Sequence, residues 1–126
     1  MIVAANAPKA IGPYSHAVKA GGLVFVSGSI GVVPATGEFA GADVATQADQ
    51  VLKNMRAILE AAGCTMGDVV KTTILLADMA DFATVNAVYQ RHFEGLGSGF
   101  PARATFAVKT LPKNALVEIE AVAVAK

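Results

Sequence analysis

Arg103 is the first residue whose chemistry needs explaining. It stands in Phe100-Pro101-Ala102-Arg103-Ala104-Thr105-Phe106, where a strand should begin, among apolar neighbours. A guanidinium is a planar fork of donors that grips a carboxylate through two parallel hydrogen bonds, more strongly where water is excluded. Taken alone, the residue reads equally well as half of a structural ion pair or as a side chain snorkelling to the surface. Glu118 and Glu120 follow, in Val117-Glu118-Ile119-Glu120-Ala121. Two positions apart on a strand, they share a face at about 7 Å. A carboxyl group in apolar surroundings has its pKa raised and can work as a general acid or base. On a solvated edge the same pair does nothing, and spacing alone favours that reading.

Other residues offer less. Tyr14 lies in Gly12-Pro13-Tyr14-Ser15-His16-Ala17, a turn that fixes its ring either as a pocket wall or as packing. Asn86 interrupts an apolar helical stripe and must find hydrogen bonds if buried, more often with backbone than with a ligand. His16 and His92 are the only histidines and join no cysteine or carboxylate cluster at metal spacing. Ser27-Gly28-Ser29 lacks the residues of a nucleophile elbow, and no phosphate-loop or dinucleotide glycine pattern occurs. No metal and no cofactor is expected.

The elements that must position these groups follow from periodicity. Ala17–Ala20 and Leu23–Ser27 read as strands joined by a Gly21-Gly22 turn, and a Gly/Pro-rich loop runs on to Gly41. From Val44 to Ala62, apolar Ala48, Val51, Leu52, Met55, Ile58, Leu59 and Ala62 keep helical spacing, with Asp43 as N-cap and Gly63 as stop. Val69–Ala77 is a strand, and a second helix runs from about Asp81 to Phe93 with Phe82, Val85, Asn86, Tyr89 and Phe93 on one stripe. Ala102–Thr110 and Leu116–Ala125 are strands around a turn at Leu111-Pro112-Lys113-Asn114. The fold class is α+β in a single domain spanning residues 1–126.

Composition adds a constraint on assembly. With glycine counted and tyrosine left out, about 62% of the 126 residues are apolar, against roughly 45–50% in ordinary domains. Charged residues are 16%, where about 25% is usual. Two helices cover one face of a sheet, yet Leu23-Val24-Phe25-Val26 and Thr73-Ile74-Leu75-Leu76 are apolar on both faces. Another subunit is the expected cover. Net charge is zero, with three arginines, two tyrosines and no tryptophan, so nucleic acid is not an expected partner. The uncharged run from Ala20 to Gly37 is too broken to span a membrane. One cysteine, and no basic leader after Met1, fit a cytoplasmic protein or one inside an organelle such as a plastid or mitochondrion.

Eight segments in order complete a pattern: Gly12-Pro13-Tyr14-Ser15, Val26-Ser27-Gly28, Gln50-Val51-Leu52-Lys53-Asn54-Met55, Val70-Lys71-Thr72-Thr73, Asp81-Phe82-Ala83-Thr84-Val85-Asn86, Pro101-Ala102-Arg103, Leu111-Pro112 and Val117-Glu118-Ile119-Glu120. Along nearly its whole length the chain resembles the RidA (YjgF-type) family of reactive-intermediate deaminases. The resemblance implies a chorismate-mutase-like fold, with a mixed sheet carrying two helices on one face. It also implies a homotrimer with pockets between subunits, and the hydrolysis of 2-imino acids to 2-keto acids and ammonia. Carried over by position, Arg103 binds the substrate carboxylate and Glu118 positions or activates water. Tyr14, Phe82 and Asn86 line the pocket, with Ser27 and Gly28 near its floor, and Glu120 stays structural. Thr105 stands where many members carry cysteine and contacts substrate largely through backbone. His16 replaces a common glutamine, and Ser29 another. Two other functions compete: a keto-acid-binding or chaperone-like trimer without turnover, and a ribonuclease or translation inhibitor.

Overall fold

The computed structural model describes residues 1–96 and 99–126. Five strands form one mixed sheet: β1 (Ala17–Ala20), β2 (Leu23–Ile30), β3 (Val69–Leu76), β4 (Ala102–Ala107) and β5 (Val117–Val124), in the order β1-β2-β5-β3-β4. All neighbours are antiparallel except β3 and β4, whose parallel pairing requires a crossover. Helix α2 (Phe82–Phe93) lies on that crossover, and α1 (Val44–Ala61) on the connection from β2 to β3. The architecture is the expected α+β.

Local chemistry accounts for the boundaries. The β1–β2 turn needs two residues with positive φ, which Gly21 and Gly22 supply at 60° and 80°. Asp43 caps α1 by accepting from the Thr46 amide and hydroxyl, both at 2.9 Å. Gly63, at φ 80°, lets the chain leave the helix after Ala62, which is the C-cap and not a further helical residue. Two strands depart from expectation by three residues, while β3 ends one residue early at Leu76 and β5 is shorter by one residue at each end. β2 continues three residues past Ser27, because after an irregularity between Val26 and Ser29 it pairs again with β5, Ser29 opposite Ile119 and Ile30 opposite Glu118. β4 stops at Ala107 instead of Thr110, since β3 offers partners only to Leu76.

The core lies between one sheet face and the two helices. Val24, Val26, Ile74, Leu76, Val117, Ile119, Ala121 and Ala123 point into it and meet Val51, Leu52, Met55, Leu59, Val85, Val88, Tyr89 and Phe93. Burying a side chain such as Leu or Phe contributes about 1.5–3 kcal/mol. The stripe on α2 is displaced slightly from its expected position: Val88 is buried, while Phe82 and Asn86 sit at its half-buried rim. Two polar residues of α1 are buried for a reason. Gln47 reaches Gly41 O and accepts from the Leu116 amide, and Asn54 donates to Ile30 O and Val32 O. They fasten the loop after β2 to the helix.

The opposite sheet face has no helix. Val18, Phe25 and Val122 pair in one row across β1, β2 and β5, and Leu75 and Phe106 stand opposite Glu118 in another. Phe25 is 46% and Phe106 48% exposed. No helix is long and apolar enough to cross a membrane among the described residues.

Candidate active site

Strand alternation sorts the candidate residues. On β5, Val117, Ile119 and Ala121 face the helices, so Glu118 and Glu120 project from the open face. On β4, Arg103 and Thr105 stand opposite Thr72 and Ile74, both fully buried, so they project from the helix face. Within one chain Arg103 and Glu118 therefore lie on opposite sides of the sheet. The structure gathers the candidates into two clusters.

The first cluster surrounds a cavity of about 610 Å³. Its walls come from the segment before β1, with Lys9, Ile11, Gly12, Tyr14 and His16. Its floor is Ser27 to Ile30, and Glu118 and Glu120 face it from β5. Gly28 lies against Glu118: a Cβ built on it would collide with the Glu118 carboxylate, which would have to move. Burial raises the Glu118 pKa, and the nearby charge of Glu120 adds to the rise. Among the described residues neither carboxylate has an ion-pair partner. The Ser27 hydroxyl donates to Ser15 O at 2.7 Å, so it pins the turn that carries Tyr14 while keeping its lone pairs free.

The second cluster is built on α2 and β4. Arg103 Nη1 donates to Asn86 Oδ1 at 2.7 Å, and the guanidinium carbon lies 5.6 Å from the Phe82 ring centre and 5.1 Å from that of Tyr89. Arginine favours such stacking because its flat cation meets the negative ring face. Tyr89 is itself held by Thr72, Oγ1 to phenolic oxygen 2.7 Å, and by Phe93, ring centres 4.5 Å apart. Burial raises its pKa, outweighing opposite effects from Thr72 and Arg103. The arginine is exposed and has no carboxylate partner among the described residues. A cation held this way has donors to spare that an anion could accept from. Thr105 adjoins it, its hydroxyl buried and without a hydrogen-bond partner among the described residues.

Tyr14, Ser27, Gly28 and Glu118 thus meet at one place, and Arg103, Phe82 and Asn86 at another, with Thr105 beside them. Asn86 holds the arginine fork, a side chain and not the backbone partner its type suggests. One participant escaped sequence reasoning, and two others take a definite place. Tyr89 was assigned only to the apolar stripe, although a ring three positions after Asn86 on a helix shares its face. Glu120, expected to be structural, faces the cavity with Glu118. His16 is a buried support of the cavity wall.

Comparison with known proteins decides the family. Residues 4–125 match the family described as endoribonuclease L-PSP. The chain belongs to this family, also known as YjgF/RidA. Over 124 residues it is 52% identical to the human 2-iminobutanoate/2-iminopropanoate deaminase, covering 98% of this chain and 88% of the relative. The protein of the same name from Escherichia coli K12 is 52% identical over 123 residues, covering 98% and 95%. Among solved structures, E. coli TdcF with bound serine superposes with a TM-score of 0.94 at 45% identity, covering 100% of this chain and 98% of that one.

Proposed function

We propose that this protein hydrolyses 2-imino acids to 2-keto acids and ammonia, in sites formed where neighbouring copies of a homotrimer meet. The observation that carries the reading is the unpaired Arg103 fork, stacked on two rings and lying across the sheet from the Glu118 cavity. A small α-imino acid needs both a carboxylate receptor and a group that handles water. One chain holds these on opposite sheet faces, so the two are completed between chains. The apolar open face supplies the surface for that assembly, since patches of this kind mark interfaces. The two deaminase relatives, each matched over nearly its whole length, support the chemistry.

In the reaction, Arg103 of one copy holds the carboxylate while the imine carbon faces Glu118 of the next. Glu118 takes a proton from water as its oxygen bonds to the C=N carbon, and the imine nitrogen gains a proton, giving a carbinolamine; the C–N bond then breaks as the hydroxyl proton passes to the departing nitrogen, leaving ammonia and the keto acid. The imine is already electrophilic, so orientation supplies much of the acceleration, with a ceiling near 7–11 kcal/mol. A carboxyl whose pKa is raised by burial and by the neighbouring Glu120 charge is a better proton acceptor than an ordinary glutamate. The endoribonuclease in the family's description is not favoured, because zero net charge and eight aromatic residues give no electrostatic or stacking platform for RNA. The test is ammonia release from imines generated in situ by an amino-acid oxidase. Purified protein that leaves the spontaneous rate unchanged would refute the reading.

A further inference from the structure

His16 is a buried titratable residue to which the reaction assigns nothing, and both of its ring nitrogens are occupied. Nδ1 accepts from the Ala4 amide at 2.9 Å, and Nε2 lies 2.8 Å from Pro8 O. An amide N–H can only donate and a carbonyl can only accept, so the ring is neutral and carries its proton on Nε2. Its own carbonyl accepts from the Ser27 amide at 3.0 Å, tying the residue to the cavity floor. The chain it grips, Ala4 to Pro8, leads directly into Lys9, Ile11, Gly12 and Tyr14, which wall the cavity. The exposed stretch around Gly12 has few other bonds; the Tyr14 amide donates to Gly12 O at 2.9 Å.

We propose that His16 is a positioning residue for substrate binding: its imidazole clamps the segment 4–8 and so holds the Tyr14 wall against the cavity. This rests on the reading that the cavity receives the substrate. The role asks for one acceptor and one donor on a buried side chain that reaches two backbone groups. Glutamine meets the requirement through its carbonyl and amide, whereas alanine does not.

The experiment compares wild type, His16→Gln and His16→Ala in two measurements. In steady-state kinetics on imines generated in situ, His16→Ala should raise KM about tenfold and leave kcat within about twofold, because a displaced wall weakens binding without removing reacting groups. His16→Gln should recover most of the loss. In hydrogen exchange, amides of residues 2–14 should exchange faster in His16→Ala than in wild type or His16→Gln. A fall in kcat at unchanged KM, or a glutamine variant that behaves as alanine does, would overturn the clamp. Exchange does not depend on turnover, so absent deamination with the predicted exchange pattern would sink the deaminase reading and leave the clamp standing. If His16→Ala fails to fold, His16→Gln still decides: a KM or an exchange pattern far from that of wild type would overturn the clamp.

Discussion

In the proposed reaction Arg103 and Glu118 divide the chemistry, and their surroundings predict different failures. Arg103→Ala removes a bidentate, charge-assisted contact, and should lower kcat/KM by roughly 100-fold or more. Because the side chain is exposed, the circular dichroism spectrum should stay that of wild type. Arg103→Lys should recover little, since a point charge replaces neither the fork nor its stacking on Phe82 and Tyr89. Near-normal turnover by the alanine variant would remove Arg103 from the mechanism. Glu118 predicts a pH effect whose sign follows from its environment. Burial and then the Glu120 charge raise its pKa, so a base must lose its proton above the ordinary glutamate value of 4.5. The acid limb of kcat/KM should lie on that higher side and move to lower pH in Glu120→Gln, which removes one of the two causes. A limb that stays in place would separate Glu120 from the titrating group.

At the scale of elements, the irregularity in β2 brings Gly28 against the Glu118 carboxylate. Gly28→Ala should displace that carboxylate and lose most activity at little cost in stability, because the group that moves is the end of a flexible side chain. Asp43→Ala offers the contrast: losing the α1 cap should cost about 1 kcal/mol, with kcat/KM unchanged. Urea melts and imine assays on the two variants check both. If Gly28→Ala kept full activity, the close approach would have no catalytic consequence. Much of this framework was legible in the residues. Asp43, Gly63 and the Gly21-Gly22 turn act locally, so type and spacing sufficed. The three extra residues of β2 were not legible, because Ser29 and Ile30 are in a strand only by virtue of pairing with β5. The support of Arg103 by Tyr89 was hidden for a similar reason: it depends on how α2 lies over β4, and a tyrosine in an apolar stripe looks like packing. Family resemblance named Arg103 and Glu118 together, while strand alternation put them on opposite faces, a separation that depends on the register of both strands with β3.

At the scale of the whole molecule, the apolar excess in composition corresponds to an open sheet face bearing Val18, Phe25, Leu75, Phe106, Val122 and Val124. Val122 pairs with Phe25 near the middle of that face. Val122→Lys should therefore cost both assembly and activity, because it would bury an unpaired charge between subunits. Light scattering and the imine assay on the same samples check this, and a folded, fully active monomer would refute an intersubunit site. The central claim is that Arg103 and Glu118 of different copies complete one site, and complementation tests it most directly. Arg103→Ala and Glu118→Gln proteins, each inactive alone, are mixed in equal amounts, unfolded and refolded together. In a cyclic trimer with random assortment, about one site in four receives an intact Arg103 from one copy and an intact Glu118 from its neighbour. The account predicts recovery of about a quarter of wild-type activity in the mixture. If both groups served a site within one chain, no assortment could restore it, and a mixture as inactive as its components would contradict the account.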